Sequence, residues 1–194
     1  MSIKQTPYLS WSQLSTWERD KNLYYELYVL GQKLPQTPSL VLGKWVADEL
    51  KKPVSKSKII EYFRKYLPQC EEREREMSAN LEGVNLLGYY DGFNQSKDEI
   101  IEIKTGFKWT QAMVDKHGQL DFYALMYWLR YKKLPKSVLL IWLKTEKDNN
   151  GDVFLTGDFK IFKRQITMQD IIKISARIKN TWKEIKAMYE MLNK

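Results

Sequence analysis

The sequence predicts a single α/β domain, with a mixed central β-sheet flanked by helices and a long C-terminal helix. Two short apolar runs, residues 99–105 and 137–144, have the length and the branched side chains of buried strands. Amphipathic helical patterns surround these runs along the chain. From Ile171 to Leu192, apolar residues recur every three or four positions, which is typical of a long helix facing a core. No repeat or domain boundary interrupts residues 1–194.

The first half of the chain is predicted to be mainly helical. Ser10 and Gln13 form a possible capping box that would start the first helix. The highly charged segment 70–77 is interpreted as a solvated helix face or a mobile segment. The predicted elements are a mostly helical stretch 10–30, a loop 31–39, a helix that ends near Pro53 and a helix 57–66.

The second half alternates predicted strands with helices. Thr167 and Asp170 have the capping-box spacing at the start of the last helix. The apolar stripe of that helix is interpreted as core-facing, and a dimer seam is the alternative. The predicted elements are a strand 83–93, a strand 99–105, a helix from His117 to about Tyr131, a buried strand 137–144, strands within 153–164 and the final helix.

The strand 99–105 carries charge on one face. Alternation places Ile101, Ile103 and Thr105 on one face and Ile100, Glu102 and Lys104 on the other. Two interpretations follow. The strand is either a solvated edge strand with a weak exposed ion pair, or it carries a functional site.

Asp91, eleven residues before Glu102, supports the second interpretation. Two neighbouring carboxylates form a hard oxygen site suited to Mg²⁺ or Mn²⁺. Such a metal ion activates water and binds phosphate oxygens during an in-line displacement. A lysine such as Lys104 can orient that water or neutralise charge that develops on the phosphate. Asp91, Glu102 and Lys104 are therefore a candidate site for phosphodiester hydrolysis.

Five motifs in order resemble the PD-(D/E)xK nuclease superfamily, in particular its RecB-like branch, which includes the exonucleases of CRISPR adaptation and several phage enzymes. The resemblance covers about residues 8–128 and implies a restriction-endonuclease-like core. The motifs are the helix start at Ser10, the helix at Gly43, Gly88-Tyr89-Tyr90-Asp91, Glu102-Ile103-Lys104 and the Gln119/Tyr123 pair.

The resemblance implies a role for each matching residue. Asp91 and Glu102 would bind the metal ion, together with the carbonyl group of Ile103, and Lys104 would be the catalytic lysine. Gln119 and Tyr123 would lie beside the active site and contact DNA. Two further residues, Lys108 and Lys116, flank the same helix and are expected to contact DNA as well.

The chain departs from the family pattern at a metal ligand. Where the branch has a histidine, four residues after a glycine like Gly43, this chain has Ala47. A helical wheel places Glu49 within the apolar arc of that helix, and an inward carboxylate is costly unless it is paired or bound to metal. Glu49 is therefore predicted to be a helix-borne metal ligand or a group that supports such a ligand. The alternative is an inward glutamate paired with a lysine or arginine.

A second departure concerns cysteine. Many relatives bind an iron–sulfur cluster through four cysteines, whereas Cys70 is the only cysteine here, so no iron–sulfur cluster is expected. A chain with no internal disulfide fits a reducing compartment, and we expect a cytoplasmic protein. No apolar run is long enough to cross a membrane, and residues 1–7 have no signal segment.

Together these observations predict a metal-dependent DNA nuclease, favoured as an exonuclease of recombination, repair or phage DNA processing. The net charge of +8 fits a polyanionic partner, here single-stranded DNA or duplex ends. The chain has no phosphate-binding GxxxxGK[ST] motif, so any unwinding would come from another chain, such as a helicase or recombination partner protein. The competing hypothesis is an inactive nuclease-fold module that binds DNA or supports assembly.

Overall fold

A five-stranded mixed sheet forms the centre of the molecule, as predicted. The computed structural model describes residues 6–106 and 108–194. The strands follow one another in chain order across the sheet; the third and fourth strands are parallel, and the other neighbours are antiparallel. Their bounds are β1 Glu72–Leu81, β2 Val84–Asn94, β3 Glu99–Gly106, β4 Ser137–Lys147 and β5 Val153–Arg164.

Helices cover both faces of this sheet and create two hydrophobic cores. One core lies under α1, α2, α6 and α7, and the other lies under α3 and α4. The predicted fold class is therefore confirmed, including the long C-terminal helix. The helices are α1 Trp11–Arg19, α2 Lys21–Tyr24, a π-helical turn Tyr25–Val29, α3 Pro38–Lys51, α4 Lys58–Tyr66, α5 Gln111–Val114, α6 Gly118–Tyr131 and α7 Met168–Leu192.

Side-chain caps start the principal helices where the sequence indicates. The Ser10 hydroxyl accepts the backbone N–H of Gln13 at the start of α1. Thr167 and Asp170 form a reciprocal capping box at the start of α7. Each cap satisfies backbone groups that the first helical turn leaves without a partner. Helix α7 then buries the predicted stripe from Ile171 to Tyr189, so the core-facing interpretation is confirmed, although Leu192 is 37% exposed.

Strand β4 connects the two cores because both of its faces are covered. Val138 and Leu140 pack into the core under α6, whereas Leu139 and Ile141 pack into the core under α3. A strand that is buried on both faces has a continuous apolar sequence, and for this reason β4 could be predicted from the sequence. Among the described residues, no helix is both long and apolar enough to span a membrane.

The interpretation of residues 70–77 as a solvated helix or mobile segment was wrong. Most of these residues belong to β1, which pairs with β2 along its length at one edge of the sheet. The buried side chains of Met77 and Leu81 anchor the strand to the core. The preceding glutamates and arginines alternate, and charge on an edge strand discourages pairing with other chains. The prediction for residues 153–164 also changes, because they form the single strand β5.

Asp98 fixes the turn that orients β3. Its buried carboxylate accepts a hydrogen bond from the Tyr127 hydroxyl at 2.5 Å and from Lys133 Nζ at 2.9 Å. Its carbonyl oxygen accepts the backbone N–H of Lys136 at 2.9 Å. Since Tyr127 belongs to α6 and Lys136 precedes β4, one residue ties together the β2–β3 turn, the crossover helix and the start of β4.

We predict that Asp98→Asn lowers the melting temperature at neutral pH. The hydrogen bonds from Lys133 and Tyr127 lower the pKa of Asp98 to about 2. Because the folded pKa lies below the unfolded value of about 3.9, this stabilisation is present above pH 4 and is lost as the pH falls towards 2. The difference in melting temperature between wild type and variant should therefore shrink over that range in thermal scans.

Asp158→Asn is the matched control for this prediction. Asp158 makes an exposed ion pair with Lys144, and exposed pairs contribute little to stability. Equal effects of the two substitutions at pH 7, or a constant difference between Asp98→Asn and wild type down to pH 2, would contradict the role assigned to Asp98.

Candidate active site

Strands β2 and β3 separate at Asp91. The paired residues of the two strands run only from Gly92 and Ile101 to the turn. Beyond that point, the Asp91 side chain takes the place of a backbone partner and accepts the N–H of Ile103 at 2.6 Å. Tyr90 and Phe93 both pack into the same core, so the normal alternation of faces is interrupted at Asp91 and Gly92. This irregularity directs the carboxylate between the strands.

Glu102 and Lys104 occupy one face of β3, as the alternation predicts. Glu102 is only 2% exposed and forms an ion pair with Lys104. Lys104 Nζ also donates a hydrogen bond to Gln119 Oε1 at 2.9 Å. Gln119 Nε2 in turn donates to the Tyr123 hydroxyl at 2.9 Å. The network joins the charged face of β3 to the first turns of α6.

Helix α6 can approach the sheet closely because position 88 is glycine. A Cβ atom on Gly88 would lie 3.0 Å from the Tyr123 ring and 3.2 Å from Met126 Sδ. The Tyr90 hydroxyl holds the same turn of the helix by donating to the Tyr123 carbonyl at 2.9 Å. Close packing of α6 therefore explains the glycine at position 88 without reference to any family pattern.

The electrostatics of the site are dominated by buried charge. Burial raises the pKa of Asp91 well above its usual range, and the neighbouring Glu102 carboxylate raises it further. Burial also raises the pKa of Glu102, while Lys104 opposes that shift. Burial acts to lower the pKa of Lys104, but attraction to Glu102 and Asp91 outweighs it and the net pKa is raised. Lys104 is therefore a cation at neutral pH.

A cavity of about 420 Å³ opens onto this network. Helix α3 forms its opposite wall, where Gly43 brings the helix close to Thr105 of β3. The structure thus brings together most of the residues predicted for the site. Those lining the cavity are Asp91, Glu102, Ile103, Lys104, Gln119 and Tyr123.

The donor atoms at the cavity fit a hard divalent cation. Glu102 Oε2 is buried and has no hydrogen-bond partner among the described residues. An unpartnered carboxylate oxygen is costly in a protein interior unless a cation or water satisfies it. Within the described part of the chain, no three acidic, histidine or cysteine side chains are arranged to enclose a metal ion. Mg²⁺, however, is commonly held by one or two carboxylates while it keeps several waters.

Glu49, predicted to be a metal ligand or a supporting group, is not among the residues that line this cavity. Its carboxylate accepts hydrogen bonds from Lys52 and from the Ser55 hydroxyl, so the alternative of a paired glutamate describes it. Ala47 lines the cavity instead. The helical wheel placed Glu49 inward correctly, since its side chain is only 13% exposed. The cavity, however, is lined by the adjacent arc of α3 that carries Gly43, Ala47 and Leu50.

The other predicted contacts lie outside the cavity. Lys108 and Lys116 are exposed and do not line it. Their neighbour His117 stacks on Trp109 and meets the edge of Trp11. Burial, with a smaller contribution from Lys104, lowers the pKa of His117 to about 4, so its imidazole is neutral at pH 7.

Sequence reasoning missed four charged residues of the cavity wall, which are Lys44, Lys51, Arg73 and Glu74. The first two lie on α3, and the other two lie on β1. Alternation of apolar and polar residues indicates a strand, whereas residues 71–76 are all charged. No local signal in the sequence therefore indicated that this segment is a strand beside the one that carries Asp91.

Comparison with known proteins supports the fold. No protein-family model matches the chain, and no curated protein matches it in sequence. A candidate exonuclease from Eubacterium rectale superposes with a TM-score of 0.56 at 13% identity, over 91% of this chain and 80% of the other. The alkaline exonuclease LHK-Exo from Laribacter hongkongensis superposes with a TM-score of 0.55 at 13% identity, over 96% and 91% respectively. The chain therefore has a nuclease-like α/β fold.

We predict that Lys104→Met destabilises the protein by about 3 kcal/mol, because it leaves the buried Glu102 carboxylate without its cation. The double variant Lys104→Met/Glu102→Gln should recover most of this loss, since the glutamine carries no charge. Urea denaturation of wild type, both single variants and the double variant measures this coupling. Additive effects of the two substitutions would contradict a direct interaction between the side chains.

Proposed function

We propose that this protein is a Mg²⁺- or Mn²⁺-dependent deoxyribonuclease that acts as an exonuclease. The observation that carries the proposal is the convergence of Asp91, Glu102 and Lys104 on one cavity, with Gln119 and Tyr123 of α6 beside them. Two carboxylates, a lysine cation and a hydrogen-bonding amide form the chemistry that phosphodiester hydrolysis requires.

Asp91, Glu102 and the carbonyl group of Ile103 would hold the metal ion. When bound there, the ion would lower the pKa of a bound water and offset negative charge on the phosphate. The Asp91 hydrogen bond to the Ile103 N–H keeps the first carboxylate between the strands. The unpartnered Oε2 atom of Glu102 is the oxygen most in need of a cation.

Lys104 would position the attacking water and stabilise charge that develops on the phosphate oxygens. Its raised pKa keeps it protonated, so it acts as a hydrogen-bond donor and a fixed cation rather than as a base. The Gln119 amide holds the ammonium group in place. Such fixed donors lower the barrier because they need no reorganisation as the charge develops.

DNA is the proposed substrate for three reasons. The motifs resemble RecB-like nucleases, the fold matches that of exonucleases, and the chain carries a net charge of +8. Lys108 and Lys116 are exposed at either side of α5, where they can contact phosphates. Recombination, repair or phage DNA processing in the cytoplasm is the proposed setting, with a helicase or recombination protein supplying any unwinding.

Ala47 favours a second candidate function. It lies at the cavity wall, where the RecB-like branch has its histidine ligand, so one metal ligand of that branch is missing here. A nuclease-fold module that binds DNA without cleaving it is consistent with this loss. Retention of both carboxylates and the lysine favours the enzyme.

A cleavage assay tests the proposal. End-labelled linear and circular DNA, single- and double-stranded, would be incubated with Mn²⁺, Mg²⁺ or EDTA. We expect metal-dependent loss of linear DNA, with at least a hundred-fold lower rate for Lys104→Ala, because one fixed cationic donor typically contributes about 10²–10³ in rate.

Gln111→Ala is the matched control, since Gln111 is exposed and bonds to Asp115 and the Lys163 carbonyl outside the cavity. Cleavage of circular DNA would show that the protein acts as an endonuclease rather than as an exonuclease. No cleavage by folded wild type under any of these conditions would favour the DNA-binding module.

Metal binding gives an independent prediction. Mn²⁺ should raise the melting temperature of wild type, since a ligand at 100 times its Kd stabilises the folded state by about 2.7 kcal/mol. Glu102→Gln should abolish the shift, and Glu49→Gln should leave it unchanged because Glu49 lies away from the cavity. A loss of the shift in Glu49→Gln comparable with that in Glu102→Gln would contradict this assignment.

A further inference from the structure

Glu74 lines the same cavity from the edge strand β1, which is the neighbour of β2. Its neighbours Arg73 and Arg75 pair with Gly92 and Tyr90, so Glu74 lies opposite Asp91 in the register of β1 and β2. Glu74 lines the cavity together with Asp91 and Glu102. Three carboxylates on three adjacent strands therefore line one cavity.

The backbone at Glu74 departs from a regular strand. Its φ is +48°, a left-handed conformation that is uncommon for a residue with a long side chain. The departure lies opposite the interruption of β2 at Asp91 and Gly92. Both strands are thus irregular at the same level, where a regular pair would continue the ladder of hydrogen bonds.

The charges around Glu74 are incompletely balanced. Its carboxylate pairs with Lys51 Nζ at 2.9 Å across the rim of the cavity. Repulsion from Glu74 also contributes to the raised pKa values of Asp91 and Glu102. Lys104 is shared by Glu102 and Gln119, and Glu102 Oε2 remains without a partner among the described residues. A cation at the cavity would satisfy this oxygen, which is costly to bury without a partner.

We infer that Glu74 is a positioning residue that holds the hydrated divalent cation of the site through the water ligands of that cation, an inference that rests on the proposed function. Such a role agrees with the side-chain arrangement, in which Glu74 lines the cavity without completing a direct cage. It also agrees with the chemistry of Mg²⁺, which loses its waters reluctantly. Glu74 would supply, from β1, a polar group at a cavity where α3 has only the apolar Ala47.

Lys51 provides a second test, because removing its charge should have the opposite effect on metal binding from removing the charge of Glu74. Its ammonium group binds Glu74 and also experiences the charge of Asp91. A lysine at that position competes with a divalent cation for the same carboxylates. Removing its charge should therefore strengthen metal binding, whereas removing the charge of Glu74 should weaken it.

Mn²⁺ titration by calorimetry, without DNA, tests the inference on the full chain. Groups behind the direct ligands typically contribute 10–100-fold to metal affinity, so we expect Glu74→Gln to weaken Mn²⁺ binding about ten-fold. Lys51→Gln should tighten it. Glu76→Gln is the matched control on the same strand, because the Glu76 carboxylate accepts the Tyr89 hydroxyl at an exposed position. Glu102→Gln is the reference for loss of a direct ligand.

The outcomes separate this inference from the proposed function. Mn²⁺ binding that is lost in Glu102→Gln but unchanged in Glu74→Gln would overturn the role of Glu74 and leave the proposed site intact. Equal weakening by Glu74→Gln and Glu76→Gln would also overturn it, because general loss of surface charge would then suffice. No Mn²⁺ binding by folded wild type would overturn both proposals.

Discussion

The hydrogen bond from the Ile103 N–H to the Asp91 carboxylate is the constraint on which the candidate site depends. A regular antiparallel pair would close the space between β2 and β3 with backbone hydrogen bonds. Here the pairing stops at Gly92 and Ile101, and a side chain satisfies the next backbone donor. The backbone N–H of Ile103 therefore keeps a hydrogen-bond partner, and its loss would cost free energy. The same hydrogen bond holds an acidic group in the gap between the two strands.

The second requirement is compensation of the buried charge. Glu102 is almost fully buried, and a carboxylate in such a place needs a cation and hydrogen bonds to remain ionised. Lys104 supplies the cation, and Gln119 holds Lys104. The same arrangement leaves Glu102 Oε2 without a hydrogen-bond partner among the described residues, and this is the atom that the proposed metal ion would satisfy.

The fold places these groups by means of contacts far from the cavity. Asp98 joins the β2–β3 turn to α6 and to the start of β4, which sets the direction of β3. Gly88 lets α6 lie close to β2. Because α6 carries both Gln119 and Tyr123, the distance between helix and sheet determines whether the hydrogen-bond chain from Lys104 can form.

The sequence by itself determined the features that depend on local periodicity. The alternation of β3 places Glu102 and Lys104 on one face, and the capping box and apolar stripe define α7. Tertiary structure alone decided the features that depend on how elements pack. Helix α3 presents Ala47 to the cavity and Glu49 to Ser55, because a helical wheel contains no information about which neighbouring element each part of an inward arc meets. Likewise, β1 becomes a strand through its pairing with β2, a long-range contact that brings Glu74 opposite Asp91.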